Sequence, residues 1–534
     1  MQKFSKFAKI FILCFLSLAT ILAPARVEQV TKNIDNNLIH SVANQKKQAP
    51  FRMAKPISVA SIAGCAILPS DNIWNTPIDN LPVHNLSSQW INTIGSNTSF
   101  HMDFGSGTWA GGPIGIPYNV VNESTPKVGV NFYYDSESDP GPYPIPSNPL
   151  IEHGSDHHLL ILDNSTCTLY EIYDAWSDSG SWYGGSGAIW NLASNNLRPD
   201  GWTSADAAGL PILPGLVRYD EIVSGEIDHA IRFTASQTNG YIWPARHLTS
   251  NTPATHIPPM GARFRLKSSY DVSGYPPEMQ VILRAMKKYG IILADNGSDW
   301  YVSGAPDNRW DNDMLHLLDE LTGNDFEAVD TSWLIVDPDS AQVQSSLPFT
   351  FTDVLPSYWA YDWVESLYNA GITGGCATSP LRYCPEQAVT RAQMSIFLER
   401  GMHGSGFTPD PANGIIFNDV PADHWAAAWI EQLAQDGITS GCGGNNYCPE
   451  QDVSRAQMAI FLLRAKYGAS YIPPSVGNST GFLDVATTHW AAAWIKQLSA
   501  EGITSGCGNN NYCPEQPVTR AQMAIFLVRT FELP

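Results

Sequence analysis

Acidic side chains in two stretches of the chain have the chemistry needed to cleave a glycosidic bond. The first stretch, Cys167 to Trp176, includes Glu171, and the second, Gly225 to Thr234, includes Glu226 and Asp228. A glycosidase needs one carboxylic acid to protonate the leaving oxygen and a second carboxylate to act as base or nucleophile. If the protein is an enzyme, we take Glu171 as the first catalytic candidate, with Asp228 and Glu226 as its partners.

A predicted β-hairpin positions the first candidate. Ser155 to Leu162 and Cys167 to Trp176 are apolar and aromatic runs that flank the turn residues Asp163 to Thr166. Alternation along the second strand places Glu171 on the same face as Leu169 and Tyr173. If this face borders a cleft, the side chains of Glu171 and Tyr173 lie next to each other in it. The next acid, Asp174, is predicted on the opposite face and is a poorer partner.

The second acidic stretch is also predicted to be a strand. Ile227, His229, Ile231 and Phe233 alternate onto one face, and Asp228 lies on the other. A histidine on an apolar face is more often a hydrogen-bonded core residue than a catalyst. The neighbouring acids are therefore the better catalytic candidates in this stretch.

Histidines near carboxylates offer a possible metal site, but their spacing does not support one. The candidates are His101, Asp103, His153, His157 and His158. No H-E-x-x-H motif accompanies them, and there is no G-x-S-x-G elbow and no glycine-rich phosphate loop. We therefore expect no metal ion, no nucleotide and no other cofactor.

Two polar loops near the end of this region contain tryptophans. They are Asp295 to Trp300 and Asp307 to Asp313. Such loops can line a sugar groove or simply connect secondary-structure elements, and the sequence does not separate these alternatives.

The start of the chain predicts export. Lys3, Lys6 and Lys9 precede the apolar run Ile10 to Leu22, and Ala23-Pro24-Ala25 has the small-residue pattern of a signal-peptidase site. Residues 1–25 are therefore predicted to be a signal peptide, and no later run is long enough to span a membrane. Residues 26–62 resemble a flexible spacer in composition.

The cysteines agree with an oxidising compartment. Eight remain after Cys14 is removed with the signal, and six of them form close pairs in the C-terminal part of the chain. Zinc binding is the alternative, but no histidine lies at finger spacing and the residues between the pairs favour turns. We expect four disulfides, which join Cys65 with Cys167, Cys376 with Cys384, Cys442 with Cys448, and Cys507 with Cys513.

Charge and composition argue against nucleic acid as a partner. The formal net charge is −21, from 30 Lys and Arg against 51 Asp and Glu, and basic residues do not cluster beyond the signal. Nucleic-acid binding needs such clusters, so we do not expect it. The 17 tryptophans and 21 tyrosines suit either sugar stacking or ordinary core packing.

A unit of two helices and a cysteine-closed turn occurs three times, at residues 350–403, 416–468 and 481–534. The first helix is predicted from the spacing of Trp425, Trp429, Ile430 and Leu433, which makes Trp425 a core residue more readily than a ligand platform. The second helix begins with a capping-box sequence, Ser454-Arg-Ala-Gln457 in the middle copy. Units of about 50 residues bury little surface alone and pack against their neighbours.

The order F-x-D-V, H-W-A, G-I-T and C-P-E-Q-x-V-[TS]-R-A-Q-M resembles the S-layer homology domain over roughly residues 350–534. The resemblance implies a threefold helical bundle that binds cell-wall polysaccharide, often with pyruvylated sugars. It implies a binding role for the arginine of the T-R-A-Q or S-R-A-Q quartet, which lies at an exposed helix start that favours anions. The residues that it assigns to binding are Arg391, Arg455, Arg520, Asp353, Asp419, Asp484, Trp359, Trp425 and Trp490. Gln replaces the family's usual Glu in all three quartets, and the cysteine pairs are not a general feature of the family.

The sequence therefore predicts a secreted multidomain protein bound to the bacterial cell surface or S-layer. A mainly-β, sandwich or jelly-roll-like cargo domain with a minor helix covers residues 63–337, and a linker at 338–349 leads to an all-α bundle of three repeats. The cargo is expected to act on extracellular polysaccharide as a glycoside hydrolase. The alternative is a non-catalytic adhesin or a structural S-layer-associated protein.

Overall fold

The structure, a computed structural model, describes residues 60–534. The predicted signal peptide and the predicted spacer up to residue 59 lie outside the described residues. The described chain has a mainly-β N-terminal region with several sheets, and helices predominate toward the C-terminus.

The described residues contain nineteen strands. In chain order they are β1 (Ser61–Ile62), β2 (Cys65–Ala66), β3 (His101–Asp103), β4 (Thr108–Trp109), β5 (Gly112–Pro113), β6 (Tyr118–Val121), β7 (Val130–Phe132), β8 (Leu159–Asp163), β9 (Thr168–Tyr173), β10 (Trp176–Asp178), β11 (Ser181–Gly184), β12 (Ser186–Asn191), β13 (Ile231–Ala235), β14 (Arg263–Leu266), β15 (Ile291–Asn296), β16 (Tyr301–Ser303), β17 (Phe326–Val329), β18 (Ala377–Thr378) and β19 (Leu381–Arg382).

The same part of the chain contains ten α-helices. They are α1 (Ser87–Ile94), α2 (Tyr219–Ser224), α3 (Pro277–Lys288), α4 (Asn312–Leu315), α5 (Tyr361–Asn369), α6 (Arg391–His403), α7 (Ala427–Gln435), α8 (Arg455–Tyr467), α9 (Ala492–Ala500) and α10 (Arg520–Phe531). Short 3₁₀ helices occur at Ile73–Asn75, Asp135–Glu137, Leu213–Gly215, His316–Glu320, Gly323–Asp325 and Ser332–Leu334.

Two larger sheets form the frame of the N-terminal region. One has six strands in the order β17-β14-β15-β13-β16-β3, and the other has four in the order β12-β9-β8-β6. Both are mixed, because β13 runs parallel to β15 and β6 runs parallel to β8. Jelly rolls are built from antiparallel strands. The sandwich or jelly-roll expectation is therefore not confirmed, whereas the mainly-β character is.

The predicted hairpin is present as β8 and β9, which pair antiparallel with Leu160 opposite Glu171. Alternation along β9 is also as predicted, but both faces of this sheet are covered. Leu160 and Leu169 pack into one apolar cluster, and Leu159 and Ile172 pack into another. The strands are therefore buried throughout, which is typical of a sheet with a layer on each side.

Apolar spacing predicts one amphipathic helix in this region, at Pro276 to Tyr289. The structure has α3 there, and Met279, Ile282, Leu283 and Met286 are buried against the six-stranded sheet. The second predicted acidic strand is shorter than expected. It begins only at Ile231, so Glu226, Asp228 and His229 precede β13 instead of lying within it.

The three C-terminal units are joined by a closed ring of backbone hydrogen bonds. The Val389 N–H donates to the Val518 carbonyl, the Val453 N–H to the Val389 carbonyl, and the Val518 N–H to the Val453 carbonyl, each at 2.9 Å. Each unit contributes one member to this ring, so the units form a pseudo-threefold arrangement. An entirely α-helical bundle is not confirmed, because β18 and β19 pair within the first unit.

The quartet residues cap the second helix of each unit. Thr390 and Ser454 each form a reciprocal capping box with the Gln three residues later, and the Thr519 side chain accepts from the Gln522 N–H. Gly437 and Gly502 follow the first helices of their units with positive φ values of 72° and 70°. These are left-handed conformations that glycine adopts readily at a helix end.

Candidate functional site

A cleft of about 360 Å³ opens in the N-terminal region beside the ends of β13 and β15. Its walls combine carboxylates with aromatic and hydroxyl side chains. The residues important for its chemistry are Glu137, Asp156, Tyr173, Asp206, His247 and Asp295. Pockets that bind small polar ligands commonly have this mixture of a few convergent polar groups on an otherwise packed frame.

A buried arginine organises two of the cleft carboxylates. Arg232, on β13, makes a two-pronged ion pair with Asp206, with Nε to Oδ2 at 2.8 Å and Nη2 to Oδ1 at 2.6 Å. The same Nη2 lies 3.0 Å from Oδ2 of Asp295, and Nη1 donates to the Ser303 hydroxyl at 2.6 Å. The Arg232 guanidinium therefore pairs with two carboxylates at the wall of the cleft.

The two carboxylates differ in exposure and in proton affinity. Asp206 is fully buried, while the Asp295 side chain is 18% exposed to the cleft. Burial raises the pKa of Asp295 well above its ordinary value, and the nearby Asp206 carboxylate raises it further, although Arg232 opposes the shift. A carboxyl group that faces a cleft and whose pKa is raised is suited to general acid catalysis.

A second buried ion pair supports the segment that carries Asp206. Nδ1 of His158 faces the Glu152 carboxylate, and Nε2 lies 3.0 Å from the Ala205 carbonyl oxygen. Burial alone would lower the pKa of His158, but Glu152 outweighs this effect and raises it to about 9. The charged imidazole can therefore donate to both neighbours and fix the backbone next to Asp206.

Glu171 does not line this cleft, because its side chain is fully buried in the protein interior. Its carboxylate accepts the backbone N–H groups of Ile212 and Leu213 at 2.9–3.1 Å and the Trp190 indole N–H at 3.1 Å. Burial raises its pKa to about 7, although the Leu213 and Ile212 donors oppose the shift. Its catalytic role stays a prediction, and in the structure it holds the start of the 3₁₀ helix Leu213–Gly215.

Asp228 and Glu226 lie together but apart from Glu171. Both line a second opening, of about 560 Å³, near the N-terminal end of the described chain. Asp228 accepts from the Tyr289 hydroxyl at 3.2 Å, and Glu226 pairs with Lys288 at 3.1 Å. The structure therefore does not bring the three predicted catalytic acids into one site, and the roles of these two also stay predictions.

His229 has the environment of a hydrogen-bonded core residue. It is buried, Nε2 lies 2.9 Å from Oε1 of Glu221, and Nδ1 lies 2.7 Å from the Ala230 carbonyl oxygen. Arg218 completes this buried network through its ion pair with Glu221. Burial would raise the pKa of Glu221, but the charge of Arg218 and the interactions with His229 outweigh this effect and lower it.

The other histidines are distributed among different partners. His101 lies 3.9 Å from Asp319, His157 lies 3.3 Å from Asp174, and Nε2 of His153 lies 3.1 Å from the Ala110 carbonyl oxygen. Within residues 60–534, none of these histidines belongs to a group of three possible metal ligands whose atoms all lie within 4.8 Å of one another.

In the C-terminal units, the quartet arginines are buried between units and not exposed at the helix start as expected. Each donates from Nε at 2.7 Å to a tyrosine carbonyl of another unit: Arg391 to Tyr447, Arg455 to Tyr512 and Arg520 to Tyr383. Each guanidinium also stacks on that tyrosine ring. The physical reason for the burial is that a neighbouring unit covers the helix start. One guanidinium nitrogen of each arginine has no hydrogen-bond partner among the described residues.

The three acids of the units hold the cysteine-closed turns. Asp419 accepts the backbone N–H groups of Tyr447 and Cys448, both at 2.7 Å. Asp353 and Asp484 make the equivalent pairs of bonds, to Tyr383 with Cys384 and to Tyr512 with Cys513. Their oxygens are therefore committed to the turn, and any role in ligand binding stays a prediction.

The tryptophans are more accessible than their predicted helix spacing implied. Trp359 and Trp490 are 59% and 58% exposed, and Trp425 is half-buried. Trp425 and Trp490 precede the helices whose apolar faces they were expected to join, because α7 begins at Ala427 and α9 at Ala492. Trp425 still packs against a buried apolar cluster. His424 and His489 stack on the neighbouring Trp425 and Trp490 rings.

All four expected disulfides are present: Cys65–Cys167, Cys376–Cys384, Cys442–Cys448 and Cys507–Cys513. The cysteines of the units are therefore not free thiolates for zinc. In the described part of the chain, no helix has the length and apolar character required to cross a membrane.

The sequence prediction missed Asp206, Arg232 and Glu137 as possible functional residues. No short motif connects them, because they come from separate segments that meet only in the folded chain. Asp295 belongs to a segment that the sequence marked as a possible sugar-groove loop, but in the structure the residue lies within β15, one position before its end. The proximity of Arg232 to Asp206 and Asp295 is a property of the fold, so the sequence contained no local signal for it.

Comparisons with known proteins match the C-terminal units. The family model of the S-layer homology domain matches residues 416–459 and 481–524, in the second and third units. The first unit joins the same ring of contacts through Val389, Tyr383 and Arg391.

Several relatives are similar over a limited part of their length. They include an amylopullulanase of Thermoanaerobacterium thermosulfurigenes (28% identical, 34% of this chain and 10% of the relative), the S-layer protein EA1 of Bacillus anthracis (30%, 24% and 14%) and the exoglucanase XynX of Acetivibrio thermocellus (26%, 50% and 24%). The chain thus spans at most about a quarter of the length of these three relatives. The chain carries S-layer homology domains in its C-terminal part, and these domains indicate a secreted protein attached to the cell surface.

Proposed function

We propose that the C-terminal units anchor the protein by binding cell-wall polysaccharide. The observation that carries this proposal is the repeated placement of a solvent-accessible tryptophan just before the first helix of each unit, at Trp359, Trp490 and the half-buried Trp425. Exposed aromatic rings stack on sugar rings and carry a large apolar area at low entropic cost. The partly unpaired Arg391, Arg455 and Arg520 add positive charge close behind the surface, which suits an acidic glycan.

Sedimentation with purified bacterial cell walls tests the anchor. The full chain is expected to sediment with walls that retain their secondary polysaccharide and to stay in solution with walls from which it has been removed. Trp359→Ala, Trp425→Ala and Trp490→Ala combined should reduce binding by at least about tenfold, because aromatic contacts dominate such interfaces. Trp176→Ala, a tryptophan that is 48% exposed in the N-terminal region, is the matched control. Equal sedimentation of the triple variant and the control would contradict the proposal.

For the N-terminal region, we propose an action on extracellular polysaccharide in the cleft bordered by Asp295. Asp295, whose pKa is raised by burial, is the candidate acid for the leaving oxygen, and Glu137 and Asp156 line the same cleft as candidates for base or nucleophile. Tyr173 and Tyr134 supply aromatic surface for sugar rings. The names of the amylopullulanase and exoglucanase relatives support a polysaccharide substrate.

An assay for new reducing ends and product masses tests this activity on a panel of plant, algal and bacterial polysaccharides. The oxidised full chain should release oligosaccharides from at least one of them, and Asp295→Asn should remove this release. Asp178→Asn changes an exposed acid on β10 and should have no effect. Parallel assays of Glu171→Gln, Asp228→Asn and Glu226→Gln test the roles predicted for these residues.

The alternative is a non-catalytic surface protein, an adhesin or a structural component of an S-layer. The similarity to S-layer protein EA1 favours it. This alternative predicts that no polysaccharide is cleaved by a chain shown to be folded and wall-bound. It also predicts that any glycan binding by the N-terminal region is the same in the wild type and in Asp295→Asn.

A further inference from the structure

One position in the second helix of the C-terminal units departs from the pseudo-threefold pattern. The helices read RAQMSIFLE, RAQMAIFLL and RAQMAIFLV from Arg391, Arg455 and Arg520, so Glu399 occupies the place of Leu463 and Val528. All three side chains are buried. The fold requires only an apolar residue here, and a carboxylate in this position needs its own explanation.

Glu399 lacks the hydrogen bonds that normally accompany a buried carboxylate. Its side chain is 0% exposed, and neither oxygen has a hydrogen-bond partner. Burying an ionised carboxylate without compensation costs several kcal/mol, so such groups are usually paired, protonated or bound to a metal ion.

Two further ligand-type side chains face Glu399. His403 lies one turn later on α6, with Nε2 3.3 Å from Oε2 of Glu399. Asp436, at the end of α7 in the second unit, places Oδ2 2.9 Å from the same Nε2. One atom from each residue lies within 4.8 Å of the other two. The atoms of these three side chains therefore converge on one point at the boundary between the first and second units.

The equivalent boundary between the second and third units is built differently. There Glu501 takes the place of Asp436, and it pairs with Lys466 at 3.4 Å. The place of His403 is taken by Tyr467. That boundary has its own lysine cation, whereas the first boundary has two acids and a histidine.

Neighbouring side chains fix the orientation of the cluster. The Gln432 amide donates to Oδ1 of Asp436 at 3.0 Å, which leaves Oδ2 directed at His403. The Phe407 ring packs on the His403 ring with centroids 4.4 Å apart. Outer contacts of this kind position the ligands in metal sites.

We propose that Glu399, His403 and Asp436 form a binding site for a divalent transition-metal cation of the Zn²⁺ type. One imidazole nitrogen and two carboxylates match the ligand preferences of such ions, and Mg²⁺ or Ca²⁺ would favour oxygen ligands alone. The His403 and Asp436 side chains are 39% and 27% exposed, which gives the ion a path from solvent and leaves room for a water ligand. The ion joins the first unit to the second and compensates the charge of Glu399.

When no metal ion is bound, a proton on Glu399 takes its place. Burial and, to a smaller extent, the nearby Asp436 carboxylate together raise the pKa of Glu399 to about 8. A cation that binds in this place would displace that proton. Proton and metal therefore compete for one site, and a metal titration separates the two states.

The test is a Zn²⁺ titration of the full, oxidised chain after treatment with a chelator, at pH 7.5, against a chromophoric zinc indicator. The wild type should bind one equivalent that Glu399→Leu, which installs the residue of the second unit, loses or holds at least about tenfold more weakly. Asp436→Asn should behave in the same way, so the result does not depend on one variant. Glu501→Gln, at the equivalent place of the other boundary, should bind as the wild type does.

X-ray absorption at the zinc edge provides the second readout. It should show nitrogen and oxygen ligands at about 2.0–2.2 Å, with one imidazole and no sulfur. Zinc binding of equal affinity and stoichiometry in the wild type and in Glu399→Leu would overturn the proposal. A wild type that binds no equivalent of zinc would also overturn it.

Discussion

The Arg391 Nε atom donates to the Tyr447 carbonyl oxygen at 2.7 Å, and the Tyr447 hydroxyl donates back to the Arg391 carbonyl oxygen at 2.8 Å. This reciprocal pair joins the start of a helix in one unit to the cysteine-closed turn of the next. It recurs between Arg455 and Tyr512. Because both partners are buried, each bond is shielded from water and its loss leaves an unsatisfied group.

Tyr447→Phe should lower the free energy of unfolding of the C-terminal units by about 1–3 kcal/mol. The substitution removes the hydroxyl and leaves the buried Arg391 carbonyl oxygen without this donor. Hydrogen exchange of peptides from residues 350–534, measured across a denaturant series, reports the change. Tyr133→Phe, at a side chain that is 81% exposed, should leave the same peptides unaffected.

Asp419→Asn should destabilise the second unit by about 1–3 kcal/mol. An amide can accept from only one of the two N–H groups that Asp419 holds, at Tyr447 and Cys448, and its NH₂ would face the other. Urea unfolding of this variant is compared with that of Asp423→Asn, at an exposed acid four residues later. No difference between the two variants would show that the turn does not depend on these bonds.

The disulfides should differ in their contribution to stability. Cys65–Cys167 closes a loop of 102 residues, and Cys442–Cys448 closes a loop of 6. In the chain-entropy model, replacing the first pair with alanines lowers the free energy of unfolding by about 5 kcal/mol, and replacing the second by about 2 kcal/mol. Guanidinium titrations of the two double variants measure this, and equal losses would contradict the loop-length argument.

Glu171 should make the stability of the N-terminal region pH-dependent. Its pKa rises from 4.5 to about 7 on folding, so the folded state holds this proton more tightly. The stabilisation is fully present below pH 4.5, falls as the pH rises toward 7, and is absent above it. The total change is about 3 kcal/mol at 1.36 kcal/mol per pKa unit.

The measurement is urea unfolding at pH 5 and pH 7.5 for the wild type and Glu171→Gln. The difference between the two proteins isolates Glu171 from other titrating groups such as His158. We expect the wild type to lose more stability than the variant between these pH values. A constant offset between the two curves would show that Glu171 does not change its pKa on folding.

If the cleft is catalytic, the activity should fall on the alkaline side as Asp295 loses its proton. Burial places the pKa of Asp295 well above the ordinary range of an aspartate, so this limb lies at an unusually high pH for a carboxyl group. Asp295→Asn should reduce kcat by at least about 100-fold, which is the lower range for removal of a general acid. An unchanged alkaline limb in this variant would exclude Asp295 as the acid.

Local patterns predicted much of the secondary structure. The β8–β9 hairpin, the helix at Pro277–Lys288, the caps at Thr390 and Ser454 and the four disulfides all follow from residues close in sequence or from cysteine number. These features depend on short-range backbone geometry, which a residue's immediate neighbours largely determine.

The burial of individual side chains was less predictable from the sequence than the secondary structure. Alternation correctly grouped Leu169 with Glu171, but it could not reveal that a second layer covers both faces of this sheet. Trp425 fits an apolar helical spacing, yet the helix begins two residues after it. Arg391 follows a cap at a helix start that is exposed in an isolated helix, and the Tyr447 segment of the next unit covers it.

The sequence by itself determined the repeated units, their resemblance to S-layer homology domains and the disulfide pairs, because each is written in residues at fixed spacing. Tertiary structure alone decided that Asp206, Arg232 and Asp295 meet at one cleft while Glu171 is buried on the backbone of Ile212. Side chains from distant segments come together only when the chain packs. Whether a carboxylate is exposed, paired or protonated then depends on all the groups around it, and not on its neighbours in sequence.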